Sequence, residues 1–210
     1  TDRTVVCGAG VITEQLQGFA EEQGLFYPVD FASSGSSQLG GNIATNAGGI
    51  KVVRYGMTRD WVAGLTVVTG AGEVLELNQG LQKNNAGYDL RQLFIGAEGT
   101  LGLIVEATMQ LTRPPKGLTC LVLGAQDFDG IMGVYNHFKA SLDLTAFEFF
   151  SEEALQKVVA HGDLQRPFPD ACPFYALLEF ENLNEQVEAS AMQLFEECME
   201  QGWGVDGVMS

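Results

Sequence analysis

Residues 35–56 hold the chain's most suggestive chemistry. They read Gly35-Ser-Ser-Gln-Leu-Gly-Gly-Asn-Ile-Ala-Thr-Asn-Ala-Gly-Gly-Ile-Lys-Val-Val-Arg-Tyr-Gly56, with six glycines, two asparagines, three Ser or Thr residues and neither Asp nor Glu. Such a segment suits an anion. Without a Cβ at Gly40, Gly41, Gly48 and Gly49, backbone N–H groups can approach a phosphate closely. Ser36 or Ser37 is expected to cap the short helix that follows and to aim its N-terminus at the same charge, with Lys51 and Arg54 as the nearby cations. The same glycines would equally serve a loop packed tightly against a strand, and composition alone leaves both readings open. A second cluster, Gly96-Ala-Glu-Gly-Thr-Leu-Gly102, separates a short helix from a strand. There Glu98 could hold a ribose or ring edge, or simply sit exposed in a strand-entry turn. A third pattern, Gly8-Ala-Gly10 after a strand with Asp30 some twenty residues on, imitates a dinucleotide fingerprint. Thr13 replaces its third glycine and Pro28 interrupts the strand that should deliver Asp30, so it carries little weight.

Around these segments the expected elements fall into two groups. Residues 3–7 read as a strand, and Thr13 caps a helix to about Gln23 that turns Leu16, Phe19 and Ala20 to one face. Leu25–Val29 is extended, Trp61–Thr69 and Glu73–Leu77 form a hairpin around Ala71-Gly72, Asn78–Tyr88 is loop, Asp89–Ile95 a short helix and Leu103–Leu111 a strand. After Pro114-Pro115, strands at 118–123, 144–149 and 174–180 alternate with helices capped by Asp127, Ser151 and Asn184, and a strand-like run closes the chain at 206–210. This is the pattern of a sheet with helices on one side.

Charge divides at the same place. Residues 1–116 carry 11 acids and 8 bases, whereas 117–210 carry 16 and 3, so the second part holds most of the net charge of −16. Glycine is skewed the other way, with 18 of 26 before residue 117. The prolines therefore mark an expected domain boundary, with domains at 1–113 and 117–210. The acidity speaks against nucleic acid or an anionic membrane as a partner, and no apolar run is long enough to span a bilayer. Four cysteines without a CxxC pair suggest free thiols in a reducing compartment, hence the cytoplasm. His137 and His161 lack close His or Cys neighbours, which argues against a self-contained zinc site.

Taken together, several stretches resemble the FAD-binding oxidoreductases of the vanillyl-alcohol oxidase/p-cresol methylhydroxylase superfamily, of the type that includes D-2-hydroxyglutarate, D-lactate and glycolate dehydrogenases. They are Pro28-Val-Asp-Phe31, the run 40–49, Arg54-Tyr-Gly56, Gly87-Tyr-Asp-Leu90, the run 93–102, Ala146-Phe-Glu-Phe-Phe150 and Pro173-Phe-Tyr-Ala-Leu177. The resemblance implies an α+β fold: the second half of a PCMH-type FAD-binding domain, then the start of an α+β substrate (cap) domain, both incomplete. It implies FAD contacts at Pro28, Gly40, Gly41, Asn42, Thr45, Asn46, Gly48, Gly49, Tyr55, Gly56, Glu98, Gly99, Gly102 and Ile104. The implied reaction oxidises a small D-2-hydroxy acid to the 2-oxo acid and passes electrons to a flavoprotein, cytochrome or quinone; a homo-oligomer stays open. The expected first glycine-rich FAD loop would precede Thr1. A substrate arginine and a histidine-containing segment, with any divalent metal and the catalytic base, would follow Ser210. No catalytic residue is therefore expected within the chain, and the isolated 210 residues are expected to be inactive. The rival reading is a non-catalytic flavin- or nucleotide-binding module. The acidity of 117–210 would repel a carboxylate substrate unless it faces solvent or guides a basic electron acceptor.

Overall fold

The computed structural model describes residues 2–78, 81, 83–162 and 164–210. The chain divides between Pro114 and Pro115 into two compact units, each with its own four-stranded sheet.

In the first unit the strands β1 (Thr4–Gly8), β2 (Val62–Thr69), β3 (Val74–Leu77) and β4 (Gly102–Gln110) lie in the order β1-β4-β2-β3. Every pairing is antiparallel, with Thr4 opposite Gln110 and Gly8 opposite Glu106 at one edge. An antiparallel β1 removes the Rossmann reading of Gly8-Ala-Gly10, which needs a parallel sheet. Cys7, Leu65, Val67, Ala107 and Met109 point to the buried face. Over it lie α1 (Thr13–Glu22) and α2 (Leu39–Ala44), whose Leu16, Ala20, Leu39 and Ile43 join the same cluster. Burying each such Leu or Ile contributes about 1.5–3 kcal/mol. Phe19, expected on the core face of α1, is instead exposed. Short helical turns α3 (Val52–Tyr55) and α4 (Arg91–Phe94), with a 3-10 turn at Thr58–Trp61, complete the unit. The β2–β3 hairpin turns where expected, with Gly72 at φ 81°, a conformation glycine adopts without strain. Part of the expected 78–88 loop lies outside the described residues.

The second unit contains β5 (Leu118–Ala125), α5 (Phe128–Ser141), β6 (Leu144–Ser151), α6 (Glu152–His161), β7 (Phe174–Glu181), α7 (Glu185–Glu200) and β8 (Asp206–Met209). Its strand order is β6-β7-β5-β8, antiparallel throughout. Buried residues alternate on β5 (Leu121, Leu123, Ala125) and β7 (Ala176, Leu178, Phe180), and α5 packs against β5, β6, β7 and α7. The opposite face is not bare, as one-sided helices would leave it. Phe168, Cys172 and Tyr175 form a second cluster there, with Val122, Phe150 and Leu155 of α6 packed against it. Gly124 makes room for it, since a Cβ at that position would strike the Cys172 side chain. All three expected caps are made. Asp127 accepts from Gly130 N at 2.8 Å, Ser151 from Ala154 N at 3.3 Å, and Asn184 from Gln186 N at 3.0 Å and Val187 N at 3.2 Å.

Candidate functional site: two glycine segments joined

Six residues are too few for a helix to hold itself, so α2 must be held from outside. Its entry is fixed by the chain just before α1: Leu39 N donates to Val11 O at 2.9 Å and Gly40 N to Ala9 O at 2.8 Å. Neither serine caps it. Gln38 occupies the N-cap without a side-chain hydrogen bond, and Ser37 Oγ instead meets Thr13 Oγ1 at 2.8 Å. The expected anion site at this helix start is thus largely closed, because two of its first N–H groups already have protein partners. Leu39, Asn42 and Ile43 form the buried face of α2, while Gly41 and Thr45, one turn apart, are exposed.

Beyond α2 the two glycine segments meet. Gly96 N donates to Ile43 O at 3.1 Å and Glu98 N to Ala44 O at 2.9 Å, so the second segment terminates the helix that carries the first. Asn46 reinforces the join: its Oδ1 accepts from Arg59 N at 3.0 Å. Arg59 in turn reaches Gln92 Oε1 at 2.8 Å and Ile95 O at 3.3 Å. Sequence reasoning missed Arg59, which sits in no motif and acts only through folding. Asn46 and Glu98 both hold φ near 49°, the left-handed region that a non-glycine side chain disfavours. Two such residues bracketing one junction mark a surface whose shape is fixed at a cost, as at binding sites.

The glycines separate by what a Cβ would meet. At Gly40 it would lie 2.7 Å from Ala9 Cβ, and at Gly102 2.6 Å from Val68 O. At Gly49, with φ 136°, it would run into the Asp30 carbonyl, and at Gly56 into the Asp60 carboxylate. Protein packing accounts for these four. At Gly48 it would touch Val52 at an ordinary 3.4 Å, and at Gly41 and Gly99 nothing lies within 4 Å. The fold itself does not require a missing side chain at exposed Gly41, whereas exposed Gly99, at φ 79°, sits in the left-handed region that favours glycine. Other candidates are placed more deeply. Pro28 is buried, Ile104 packs on the core, and Tyr55 is half-buried between Phe26 and Trp61, with ring centroids 5.9 and 6.3 Å away. Glu98 is exposed, and Lys51 is buried rather than presented to an anion.

The second unit has a polar centre that sequence reasoning also missed. Arg166 grips Glu152 through two bonds of 2.8 Å, and Tyr175 OH donates to Glu152 Oε2 at 2.5 Å. That hydroxyl accepts from Arg166 Nη2 at 2.8 Å and from Cys172 N at 3.1 Å. The guanidinium, then the phenol and Gln156, hold the Glu152 carboxyl at about 2, well below its ordinary 4.5. The network fastens the segment around 166–172 to α6 and β7. Among the described residues no group of three or more His, Cys, Asp or Glu is placed to hold a metal ion.

Residues 1–78 match the family model of the FAD binding domain, and residues 114–210 that of the C-terminal domain of FAD linked oxidases. The chain pairs an FAD binding domain with a C-terminal domain of the FAD linked oxidases. D-2-hydroxyglutarate dehydrogenase of Stutzerimonas stutzeri is 67% identical over 209 residues, covering 100% of this chain and 45% of that protein. Mitochondrial D-2-hydroxyglutarate dehydrogenase of Rattus norvegicus is 37% identical, covering 98% and 39%. The chain thus spans less than half the length of the curated relatives it matches. Among solved structures, an alkyldihydroxyacetonephosphate synthase superposes with a TM-score of 0.77 at 22% identity, over 97% of this chain and 40% of that one. That likeness speaks for the fold. The mixed helix-and-sheet architecture is that of a PCMH-type FAD-binding domain followed by an FAD-oxidase C-terminal domain. The cofactor of this family is FAD, and the joined surface fits it. Gly41 and Gly99 leave exposed backbone free of side chains, the kind of surface a phosphate group can approach closely.

Proposed function

We propose that the full-length protein containing these residues is an FAD-dependent dehydrogenase of D-2-hydroxy acids, with D-2-hydroxyglutarate as its first-choice substrate and the 2-oxo acid as product. The observation that carries this reading is the joining of segments 40–46 and 96–99 into one glycine-lined surface in a chain 67% identical to a protein of that name. FAD, when bound, would supply the electron sink for oxidation at C2 of the substrate. The substrate hydroxyl loses its proton to a base outside residues 1–210. Within this chain Gly41, Thr45, Gly48 and Gly99 present the surface the cofactor lies on. Gly40, Asn42, Asn46, Gly49, Gly56, Glu98 and Gly102 give it shape, while Pro28, Tyr55 and Ile104 support it from below.

In this reading residues 1–113 are the second part of the FAD domain and 117–210 the beginning of the substrate domain. Electrons leave to a flavoprotein, cytochrome or quinone, and a divalent metal, where the enzyme uses one, is held outside this stretch. The names of the relatives favour an enzyme over a non-catalytic flavin module. No helix among the described residues is long and apolar enough to cross a membrane. Four free cysteines support a reducing compartment, the cytoplasm in a bacterial cell, although the rat relative is named mitochondrial.

The test is turnover of the purified full-length protein with an artificial electron acceptor. D-2-hydroxyglutarate should reduce the acceptor at least about 100-fold faster than its L-enantiomer, since one hydrogen at C2 faces the flavin only in the D form. An FAD-loaded protein that turns over no 2-hydroxy acid would overturn the reading.

A further inference from the structure

Thr13 stands at the first position of α1, fully buried, and its hydroxyl does not cap its own helix. It reaches instead across 24 and 29 residues of sequence. Asn42 Nδ2 donates to Thr13 Oγ1 at 2.7 Å, and Thr13 Oγ1 and Ser37 Oγ lie 2.8 Å apart. Thr13 N also donates to Ser37 O at 3.0 Å. One residue of α1 therefore holds both the chain entering α2 and the middle of α2.

We propose that Thr13 is a positioning residue for FAD, acting through a hydrogen-bonded clasp with Ser37 and Asn42 that fixes the rotation of α2 about its axis. The inference rests on the FAD reading of the preceding subsection and adds residues 13 and 37, which are not among the FAD contacts the resemblance implies. The apolar partners of α2, Leu39 and Ile43, set how deeply it sits, but apolar contact is non-directional. Hydrogen bonds are directional, and Asn42 is the polar member of the buried face, at 7% exposure. Gly41 is its neighbour on the exposed side, so any roll that would free the Asn42 amide carries Gly41 with it. At the far end Gly96 N and Glu98 N hold the carbonyls of Ile43 and Ala44. The clasp and this junction thus fix α2 at both ends, and with it the spacing of Gly41 and Gly99. The Asn42 side chain is committed to this clasp, so its part in binding FAD is to aim the helix.

The experiment compares FAD affinity of full-length wild type, Thr13→Val, Thr13→Ser and Ser37→Ala, each stripped of flavin and titrated with FAD by flavin fluorescence. Thr13→Val keeps the shape, removes the hydroxyl and leaves a buried amide short of a partner, so it should weaken FAD binding about tenfold or more. Thr13→Ser should return to within about twofold of wild type, because the hydroxyl and not the methyl makes the clasp. Ser37→Ala, in a half-buried loop, should lose about threefold, and it decides the matter if Thr13→Val does not fold. The proposal is overturned if Thr13→Val, or failing it Ser37→Ala, binds FAD as wild type does, or if Thr13→Ser is as weak as Thr13→Val. A wild type that binds no FAD would instead sink the cofactor reading itself, and the clasp's role with it.

Discussion

Every helix of the acidic second unit is capped by the side chain of its own N-cap residue, whereas no described helix of the glycine-rich first unit is. Asp127, Ser151 and Asn184 satisfy their own helix starts, so α5, α6 and α7 carry their beginnings in their local sequence. The N-cap residues of α1 to α4 are Ile12, Gln38, Lys51 and Leu90, none of which caps with its own side chain. Nearby side chains help α1, where Gln15 Oε1 accepts from Ile12 N at 3.1 Å, and α4, where Asp89 Oδ1 accepts from Arg91 N at 3.3 Å. Distant groups place α1 and α2: the Ala9 and Val11 carbonyls hold the start of α2, and Thr13 reaches across to Ser37 and Asn42. A unit built to fold uses local signals. A unit that presents a loop surface to a large ligand leaves its serines and asparagines to tertiary contacts, at the cost of locally defined ends.

Within the first unit the comparison can be broken at the glycines, where the largest effects are expected. Gly49→Ala places a Cβ against the Asp30 carbonyl in a backbone that disfavours any side chain, and should destabilise the unit by about 3 kcal/mol or more with or without cofactor. Thermal melts of FAD-stripped full-length protein would show it. Gly41→Val meets nothing in the fold and replaces a poor helix former, so those melts should stay within about 1 kcal/mol of wild type. Flavin retention, read from the ratio of visible to protein absorbance, should nevertheless fall to a tenth or less on the order-of-magnitude scale of a buried steric clash. A Gly41→Val protein that purifies with normal flavin would remove α2 from the cofactor surface.

The second unit is sharpened by acid. With its carboxyl held at about 2, Glu152 contributes stability that is complete above its ordinary 4.5 and disappears as pH falls through about 2. Glu152→Gln should therefore lower stability at neutral pH, and the gap to wild type should close between about pH 4.5 and 2. Denaturant melts across that range measure it. A gap that stays constant with pH would mean that Glu152 matters by shape and not by charge. A smaller effect is expected at the α5 cap, where Asp127→Ala should cost about 1 kcal/mol. Hydrogen exchange confined to the first turn of α5 would report that loss, while α2, which uses no cap, should not respond.

The same contrast explains what was legible in the sequence. In the second unit the period of the apolar residues and the three caps predict α5, α6 and α7 with starts that match the structure, because each cap acts on its own helix. In the first unit the strands and the Gly72 turn were equally readable, as was the resemblance carried by 40–49 and 93–102. What was not readable was the use made of each polar residue. Ser37 and Thr13 carry capping side chains, but a hydroxyl bonds whichever partner folding brings near, and here they bond each other. Arg59 and the Glu152–Arg166–Tyr175 network join residues too far apart in sequence for any spacing rule. The glycines of one motif likewise divided only in three dimensions, into those that clear the protein and those that face outward.

The central claim is that two segments some fifty residues apart form one cofactor surface. Hydrogen–deuterium exchange of the full-length protein, with FAD and after its removal, tests it most directly. The account predicts that peptides covering 39–49 and 96–102 gain protection together when FAD is restored, with peptides from α5 and α7 unchanged. Protection appearing in only one of the two segments, or in neither, would contradict it.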